Sequence, residues 1–307
     1  MEKLIEAGAD PGAKAAGGSK PLALAALNGR TRAVELLLAK GEGVDSIDEA
    51  SGWAPLHAAA AKYHIDLVEK LISLGAGIDA RTRDGHTALH LAAAAGHKVV
   101  IISLANSGAA LEARNPEGYT ALHLAAAGGY EETVEKLVRL GAAIEARNDM
   151  GATALYLAAC NGNENAVAKL LALGADPNAR KENGWAPLHT AAQGGHATLI
   201  EMLARSGAGV NAATGKGSTP LHIACDHGRL KAAEKLISSG ADACARNSEG
   251  VTPRFADFRR AAEKNGRTPA KFYSAKIAAR IADGDFFRKR QIEFSRHPII
   301  QRRFVRP

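Results

Sequence analysis

The sequence predicts an all-α fold made of stacked copies of one helical unit, and two observations support that prediction. A six-residue phrase, GWAPLH, occurs at 52–57 and again at 184–189, and related phrases fill the interval at steps of 33 residues. Hydrophobic residues make up 46% of the 307 residues, mostly Ala and Leu, while aromatic residues make up only 5%. A fixed period in this range marks a repeat array. The composition suits closely packed short helices better than a β-sandwich or barrel.

The register of the repeats is strict over most of the chain. An earlier relative of the phrase, GSKPLA, begins at Gly18, one residue out of register. Seven phrases then keep the 33-residue step, beginning at Gly52, Gly85, Gly118, Gly151, Gly184, Gly217 and Gly250. An array of this kind grows without adding domains, so the length of the chain does not call for two ordinary domains.

The first helix of each unit begins just after the turn glycine. In the repeat that starts with the turn signal Asp84-Gly85, Thr87 is placed to accept an unpaired first-turn N–H group. In GSTPLH a proline follows the threonine, at the position where a helix favours it. The alanine-rich run 92–95 lets another backbone approach closely, and Gly96 ends the helix.

The second helix follows at once and closes the unit. Val99, Val100, Ile102 and Leu104 are its packing residues, and Gly108 lies where a left-handed C-terminal residue belongs. The same glycine recurs in the other repeats as Gly41, Gly75, Gly141, Gly174, Gly207 and Gly240. The unit is therefore turn, helix, turn, helix, loop. It cannot bury its apolar faces alone, so it must stack on its neighbours.

This pattern resembles the ankyrin repeat family. The resemblance lies in the 33-residue period and in the phrases TALHLA at 87–92 and TPLHIA at 219–224, and it covers about residues 1–251. It implies a curved solenoid whose turns project as fingers and whose first helices line a concave surface. It also implies a binding function, usually for protein partners, with no chemistry of its own.

The two ends of the chain depart from the pattern. The segment MEKLIEAGAD reads as a second helix with no first helix before it, so residues 1–251 form an array with an incomplete first repeat and about seven repeats following. A fragment of a longer array and a lost half-repeat explain this start equally well. Residues 252–307 are expected to form a degenerate capping helix and then a short basic helical or flexible extension.

The positive charge of the chain is concentrated in that extension. Residues 1–251 hold 24 Lys and Arg against 27 Asp and Glu, whereas residues 252–307 hold 15 against 5. Such a segment attracts nucleic acid, an anionic membrane surface or an acidic protein, unless it is simply solvated. The residues expected to bind an anion are Arg288, Lys289, Arg290, Arg302 and Arg303.

Several function classes are disfavoured by what the sequence contains. The recurring histidines, His57, His90, His123, His189 and His222, lie about one helix-packing distance apart, too far to share a metal ion. They are expected to hydrogen-bond neighbouring backbone instead, and the three cysteines are expected to be structural. We therefore predict no enzyme activity, cofactor, metal site or small-molecule substrate, and a monomeric chain. With no signal-peptide pattern, no long apolar run and an odd, sparse cysteine count, we predict a cytoplasmic protein.

The candidate partner-binding residues come from one variable column, the residue after each turn glycine, here called the fingertip. The large residues in it are Trp53, His86, Tyr119 and Trp185, and Trp and Tyr are common at binding hot spots. A competing interpretation is that each ring shields its own finger. Polar contacts are expected from Lys62, Asn161 and Gln193, near the ends of first helices.

The function that these observations favour is a non-enzymatic scaffold that binds a protein partner through the fingertips and the concave first-helix surface. The alternative is an adaptor whose basic tail binds nucleic acid or an anionic membrane. The two Trp repeats also carry Ala54 and Ala186 where the capping threonine belongs, either because a block of four repeats was duplicated or because the packing around Trp requires it.

Overall fold

The computed structural model describes residues 10–15 and 18–253, and its regular structure over these residues is entirely helical. The predicted all-α class and the turn-helix-turn-helix-loop unit are therefore confirmed. The predicted start of the array at 1–9 lies outside the described residues. So do the capping helix and the basic extension from residue 254 onward. The chain divides into two compact units after Glu182.

The first unit contains five helix pairs, each formed by a short first helix and a nine-residue second helix. The pairs are α1 Pro21–Leu27 with α2 Thr31–Ala39, α3 Pro55–Ala61 with α4 Ile65–Ser73, α5 Ala88–Ala94 with α6 Lys98–Asn106, α7 Ala121–Gly128 with α8 Glu131–Arg139, and α9 Ala154–Cys160 with α10 Glu164–Ala172. Within this unit successive first helices pack side by side, as do successive second helices.

The second unit contains two helix pairs of the same kind. They are α11 Pro187–Gly194 with α12 Ala197–Arg205, and α13 Pro220–Asp226 with α14 Leu230–Ser238. The thiol of Cys225 is fully buried between its helices, as its small-residue position predicts. Gly207 and Gly240 end the second helices with φ values of 90° and 99°, the left-handed conformation that favours glycine.

The core of each unit follows from alternating small and branched residues. In the first unit the leucines Leu22, Leu56, Leu89, Leu122 and Leu155 recur at one first-helix position, and each is about 1% exposed. The alanines beside them, such as Ala59 and Ala92, are completely buried and let neighbouring helices approach closely. Burying one leucine side chain contributes about 2 kcal/mol, so each repeat depends on its neighbours for most of its stability.

The longest helices in the part of the chain that the structure describes have nine residues. At 1.5 Å per residue such a helix covers roughly half of a bilayer core of about 30 Å. No helix among these residues is long and apolar enough to cross a membrane.

Candidate functional site

The recurring histidines are structural, as the sequence predicts. In each, Nδ1 accepts a hydrogen bond from the backbone N–H of the residue that caps the first helix, at 3.1 or 3.2 Å. Because a carbonyl oxygen can only accept, Nε2 carries the proton and donates it, at 2.8–3.0 Å, to a carbonyl oxygen further along the chain. These bonds join His57 to Ala80, His90 to Tyr119, His123 to Ala152, His189 to Ala212 and His222 to Val251.

Three of these rings, those of His57, His90 and His123, favour the neutral form. Burial lowers the pKa of His57, His90 and His123 below the usual value, because a charged imidazolium would lose its hydration. Both ring nitrogens are already used by backbone groups, so the histidines cannot serve as bases or ligands without breaking the fold. Over the described residues, no group of His, Cys, Asp and Glu side chains is placed to hold a metal ion.

Three of the four fingertip rings pack against the histidine of their own repeat. The centroid distances are 5.8 Å for His86 with His90, 5.9 Å for Tyr119 with His123 and 5.9 Å for Trp185 with His189. All three fingertip residues are half-buried, so part of each ring stabilises the finger and part remains accessible. Nδ1 of His86 is buried without a hydrogen-bond partner among the described residues.

Trp53 occupies a different environment. It is half-buried and lines a cleft of about 340 Å³ together with Leu24, Leu27 and Lys62. The rest of the lining is formed by Ser19, Ala23, Asp48, Ser51, Ala54 and Ala58. The structure thus brings together two of the seven predicted partner-binding residues, Trp53 and Lys62, in a mainly apolar cleft.

The carboxylate that lines this cleft is already engaged. Asp48 is 2% exposed and accepts hydrogen bonds from the backbone N–H of Lys20 and of Ser51, both at 2.9 Å. It also accepts from the hydroxyls of Ser51 at 2.8 Å and Ser19 at 3.3 Å. Burial alone would raise the pKa of Asp48, but these hydrogen bonds outweigh it and the net pKa is lowered. Lys62, by contrast, is exposed, and no ion pair to it is found among the described residues.

One residue beside the cleft was missed by the sequence analysis. Tyr63 has a φ of 62°, and it is the one non-glycine residue with positive φ in the described ranges. Its ring is 48% exposed and tilts against the ring of His97, with centroids 5.1 Å apart. The register carries the signal, since the equivalent positions are Gly29, Gly96, Gly129, Gly162, Gly195 and Gly228.

The other two polar candidates lie apart from this cleft. The Asn161 side chain donates from Nδ2 to the carbonyl oxygen of Ala127 at 2.8 Å and is exposed. Gln193 belongs to the second unit, where its side-chain Nε2 donates to Nε2 of His227 at 3.3 Å and its backbone carbonyl oxygen accepts from Nε of Arg229 at 3.0 Å. Both residues therefore have structural partners, and the structure does not gather them with Trp53 and Lys62.

The arginines of the fingers are mostly used to join repeats. Nη1 of Arg81 donates to the carbonyl oxygens of Gly85 and Arg114, both at 2.8 Å. Arg114 and Arg147 repeat this arrangement one and two repeats later. The predicted anion-binding residues Arg288, Lys289, Arg290, Arg302 and Arg303 lie outside the described residues.

Comparisons with known proteins agree with this architecture. A family model described as ankyrin repeats (3 copies) matches residues 1–82, 60–148, 89–181 and 155–247. The crystal structure of the ankyrin repeat domain of Bcl-3, a member of the IkappaB protein family, superposes with a TM-score of 0.60 at 32% identity. That match covers 66% of this chain and 93% of the Bcl-3 domain.

Three matches to curated relatives are shorter. Human protein phosphatase 1 regulatory subunit 27 is 44% identical over 61 residues, which are 20% of this chain and 39% of the relative. Mouse ankyrin repeat and SAM domain-containing protein 6 is 35% identical over 23% of this chain and 8% of its own length. The tyrosine-protein kinase HTK16 of Hydra vulgaris is 34% identical over 27% of this chain and 11% of its own length. The chain thus spans about two fifths or less of each of these relatives.

Proposed function

Because this chain belongs to the ankyrin repeat family, whose repeats are generally protein–protein interaction modules, we propose that it is a non-enzymatic scaffold that binds a protein partner. In the first unit its binding residues are the fingertips Trp53, His86 and Tyr119 and the first-helix ends Lys62 and Asn161, and in the second unit they are Trp185 and Gln193. The single observation that carries this proposal is the cleft in which Trp53 and Lys62 meet. Trp is enriched among the residues that dominate binding energy, and Lys62 is exposed and makes no ion pair with the part of the chain that the structure describes.

The non-enzymatic part of the proposal rests on how the reactive side chains are used. In the recurring histidines both ring nitrogens form hydrogen bonds with backbone groups. Cys225 is buried, while Cys160 and Cys244 are exposed free thiols. Free, sparse cysteines are also what supports an intracellular location.

Photo-crosslinking tests the proposed surface directly. A benzophenone amino acid is introduced into the full chain at Tyr119 or Trp185, and at the exposed second-helix positions Asp66 or Glu164 as matched controls. Affinity capture is then carried out with the full chain and with a chain that ends after residue 251. We expect crosslinked partner from the fingertip positions in both chains. Crosslinks of equal yield from Asp66 and Glu164 would refute a fingertip surface.

A second candidate function is supported by the charge distribution. The arginines of the fingers are bound to carbonyl oxygens, whereas residues 252–307 carry 15 Lys and Arg against 5 Asp and Glu. We therefore keep the adaptor that binds nucleic acid or an anionic membrane through this segment as the alternative. It requires binding to DNA, RNA or anionic vesicles that weakens steeply with salt and disappears on deletion of 267–307. If the full-length protein binds neither DNA, RNA nor anionic vesicles at low salt, this second function is refuted.

A further inference from the structure

Five residues of the first two described repeats form an apolar surface with one cation, which we call the N-terminal patch: Leu24, Leu27, Trp53, Lys62 and Tyr63. Leu24 and Leu27 are 40% and 37% exposed, which is unusual for leucines on a packed helix. They line the cleft with Trp53 and Lys62. Tyr63 follows Lys62 and lines the adjoining surface with Gly29.

The repeats provide a comparison for the positions of the patch. The equivalents of Leu27 are Ala61, Ala94, Ala127, Cys160, Gln193 and Asp226, and the equivalents of Lys62 are Asn28, Ala95, Gly128, Asn161, Gly194 and His227. Both columns vary between repeats, and Leu27 and Lys62 are the largest apolar residue and the one Lys or Arg in them. Tyr63 replaces a glycine that all the other repeats keep. Leu24 has Leu91, Leu124 and Leu157 among its equivalents, so the patch combines one usual leucine, three residues from variable columns and one replaced glycine on a single surface.

The backbone at Tyr63 has a positive φ, a conformation for which the equivalent repeats use glycine. A bulky residue with a φ of 62° is an outlier, and such strain is concentrated at functional sites. The glycine at this position normally makes room for the next repeat: a Cβ added at Gly29 would lie 2.5 Å from Nδ1 of His64, and one at Gly96 would lie 2.5 Å from the ring of Tyr130. Tyr63 places a side chain where the other repeats have none, and this side chain is about half exposed.

The charge of the patch defines what it can accept. Of the two charged side chains that line the cleft, Asp48 is saturated by four hydrogen bonds. Lys62 is exposed and has no ion pair within the described part of the chain. The remaining lining is apolar apart from Ser19 and Ser51. A volume of about 340 Å³ is at the low end of small-molecule pockets, about 300–1,000 Å³, and suits the side chains of a peptide.

We propose that the N-terminal patch binds a segment of a partner protein in which a bulky apolar side chain stands beside a carboxylate. The apolar side chain enters the cleft between Leu24, Leu27 and Trp53, and the carboxylate pairs with Lys62. This inference rests on the proposed scaffold function and specifies the chemistry of its partner. The chain's own residues 252–307 are a poor occupant. They carry an excess of Lys and Arg, and Lys62 would repel these positive charges.

The test is a selection from a phage-displayed library of random dodecapeptides on the immobilised full chain. We expect the enriched peptides to share a Leu, Ile, Met or Phe next to an Asp or Glu. The best peptide is synthesised with a fluorescent label, and its affinity is measured by anisotropy. Lys62→Glu should weaken binding by about tenfold, and a peptide with Lys in place of the acidic residue should recover affinity for that variant. Lys231→Glu, the same charge change at an exposed site in the second unit, is the matched control and should bind normally.

Tyr63→Gly separates recognition from folding. This variant installs the residue that every other repeat carries, so it removes backbone strain and should not lower the unfolding temperature. We expect it to weaken binding of the peptide several-fold. A variant that unfolds at lower temperature and keeps full affinity would make Tyr63 a packing residue and overturn its place in the patch.

The remaining outcomes separate this inference from the proposed function. Peptides without an acidic preference, or peptides that bind Lys62→Glu as tightly as the wild type, overturn the inference. If such peptides lose affinity on Trp185→Ala at a temperature where circular dichroism shows that this variant is still folded, the scaffold function survives with a different surface. A selection that enriches no binding peptide at all counts against the scaffold function itself.

Discussion

At the scale of single residues, the buried polar side chains decide how the fingers are held. Asp48 links two fingers, because it accepts from Lys20 in one and Ser51 in the next. The equivalent residues Asn115 and Asn148 bind only their own turns, each accepting two backbone N–H groups through Oδ1. Asp48 therefore replaces an amide by a charge at the base of the N-terminal patch, and it gains bonds to a neighbouring repeat.

Removing Asp48 should be costly and dependent on pH. We expect Asp48→Ala to lower the free energy of unfolding by about 2–3 kcal/mol at pH 7, because several buried N–H groups lose their acceptor. Asp48→Asn, the residue found at 115 and 148, should cost less than half as much. The pKa of Asp48 is lowered in the folded protein, so its contribution is complete above the unfolded pKa of about 4 and is lost as the pH falls through the folded pKa. Urea unfolding of the three proteins at pH 7 and pH 3 measures this, and equal stability of Asp48→Ala and wild type at pH 7 would refute it.

At the scale of the helices, the first helix of each repeat is fastened by its capping residue and its histidine together. In the repeat that starts at Gly85, Oγ1 of Thr87 lies 2.8 Å from Nδ1 of His90, which also accepts from the Thr87 N–H group. Ala186 has no hydroxyl, yet its N–H group still donates to His189 at 3.1 Å. The sequence predicted a missing cap in the two Trp repeats. The structure shows that the hydroxyl is lost there, while the hydrogen bond from the N–H group of the capping residue to the histidine ring remains.

Capping substitutions should therefore have unequal effects. We expect Thr87→Ala to lower the free energy of unfolding by about 1 kcal/mol. Ala186→Thr should raise it by only about 0.5 kcal/mol, because Ala186 is buried and the larger side chain must fit a packed site. Thermal or urea unfolding of the two variants measures both changes. A neutral Thr87→Ala would mean that the histidine alone fixes the helix start.

The buried histidines should make the array sensitive to mild acid. Burial lowers the pKa of His57, His90 and His123 in the folded state, so the unfolded state binds more protons. Stability is then complete above the unfolded pKa of about 6.5 and falls as the pH drops below it. We expect the unfolding temperature to decrease between pH 7.5 and pH 5.

A matched variant is available within the chain. His123→Tyr installs the residue that occupies the same column at Tyr156, and its unfolding temperature should fall less between pH 7.5 and pH 5 than that of the wild type. An unfolding temperature that stays constant over this range in the wild type would contradict the role given to the buried rings.

At the scale of the whole molecule, the period of the sequence accounts for most of the fold. A 33-residue step with a fixed glycine, cap, leucine and histidine specifies the helix pairs, because each of these residues has one structural task in every repeat. The proposed recognition surface was harder to predict. Trp53 and Lys62 stand in columns that vary between repeats, but their meeting with Leu24 and Leu27 depends on how neighbouring repeats stack. The strain at Tyr63 is visible only as one replaced glycine.

The two tryptophans offer the most direct measurement. Trp53 lines the cleft, whereas Trp185 packs against His189, although both stand in the same phrase. The unfolding temperature and the affinity for a crosslinked partner are measured for Trp53→Ala, Trp185→Ala and the wild type. We expect Trp53→Ala to lose at least tenfold in affinity with little change in stability, and Trp185→Ala to lose stability. Trp53→Ala that unfolds at a much lower temperature and binds the partner normally would assign this ring to folding and contradict the proposed recognition surface.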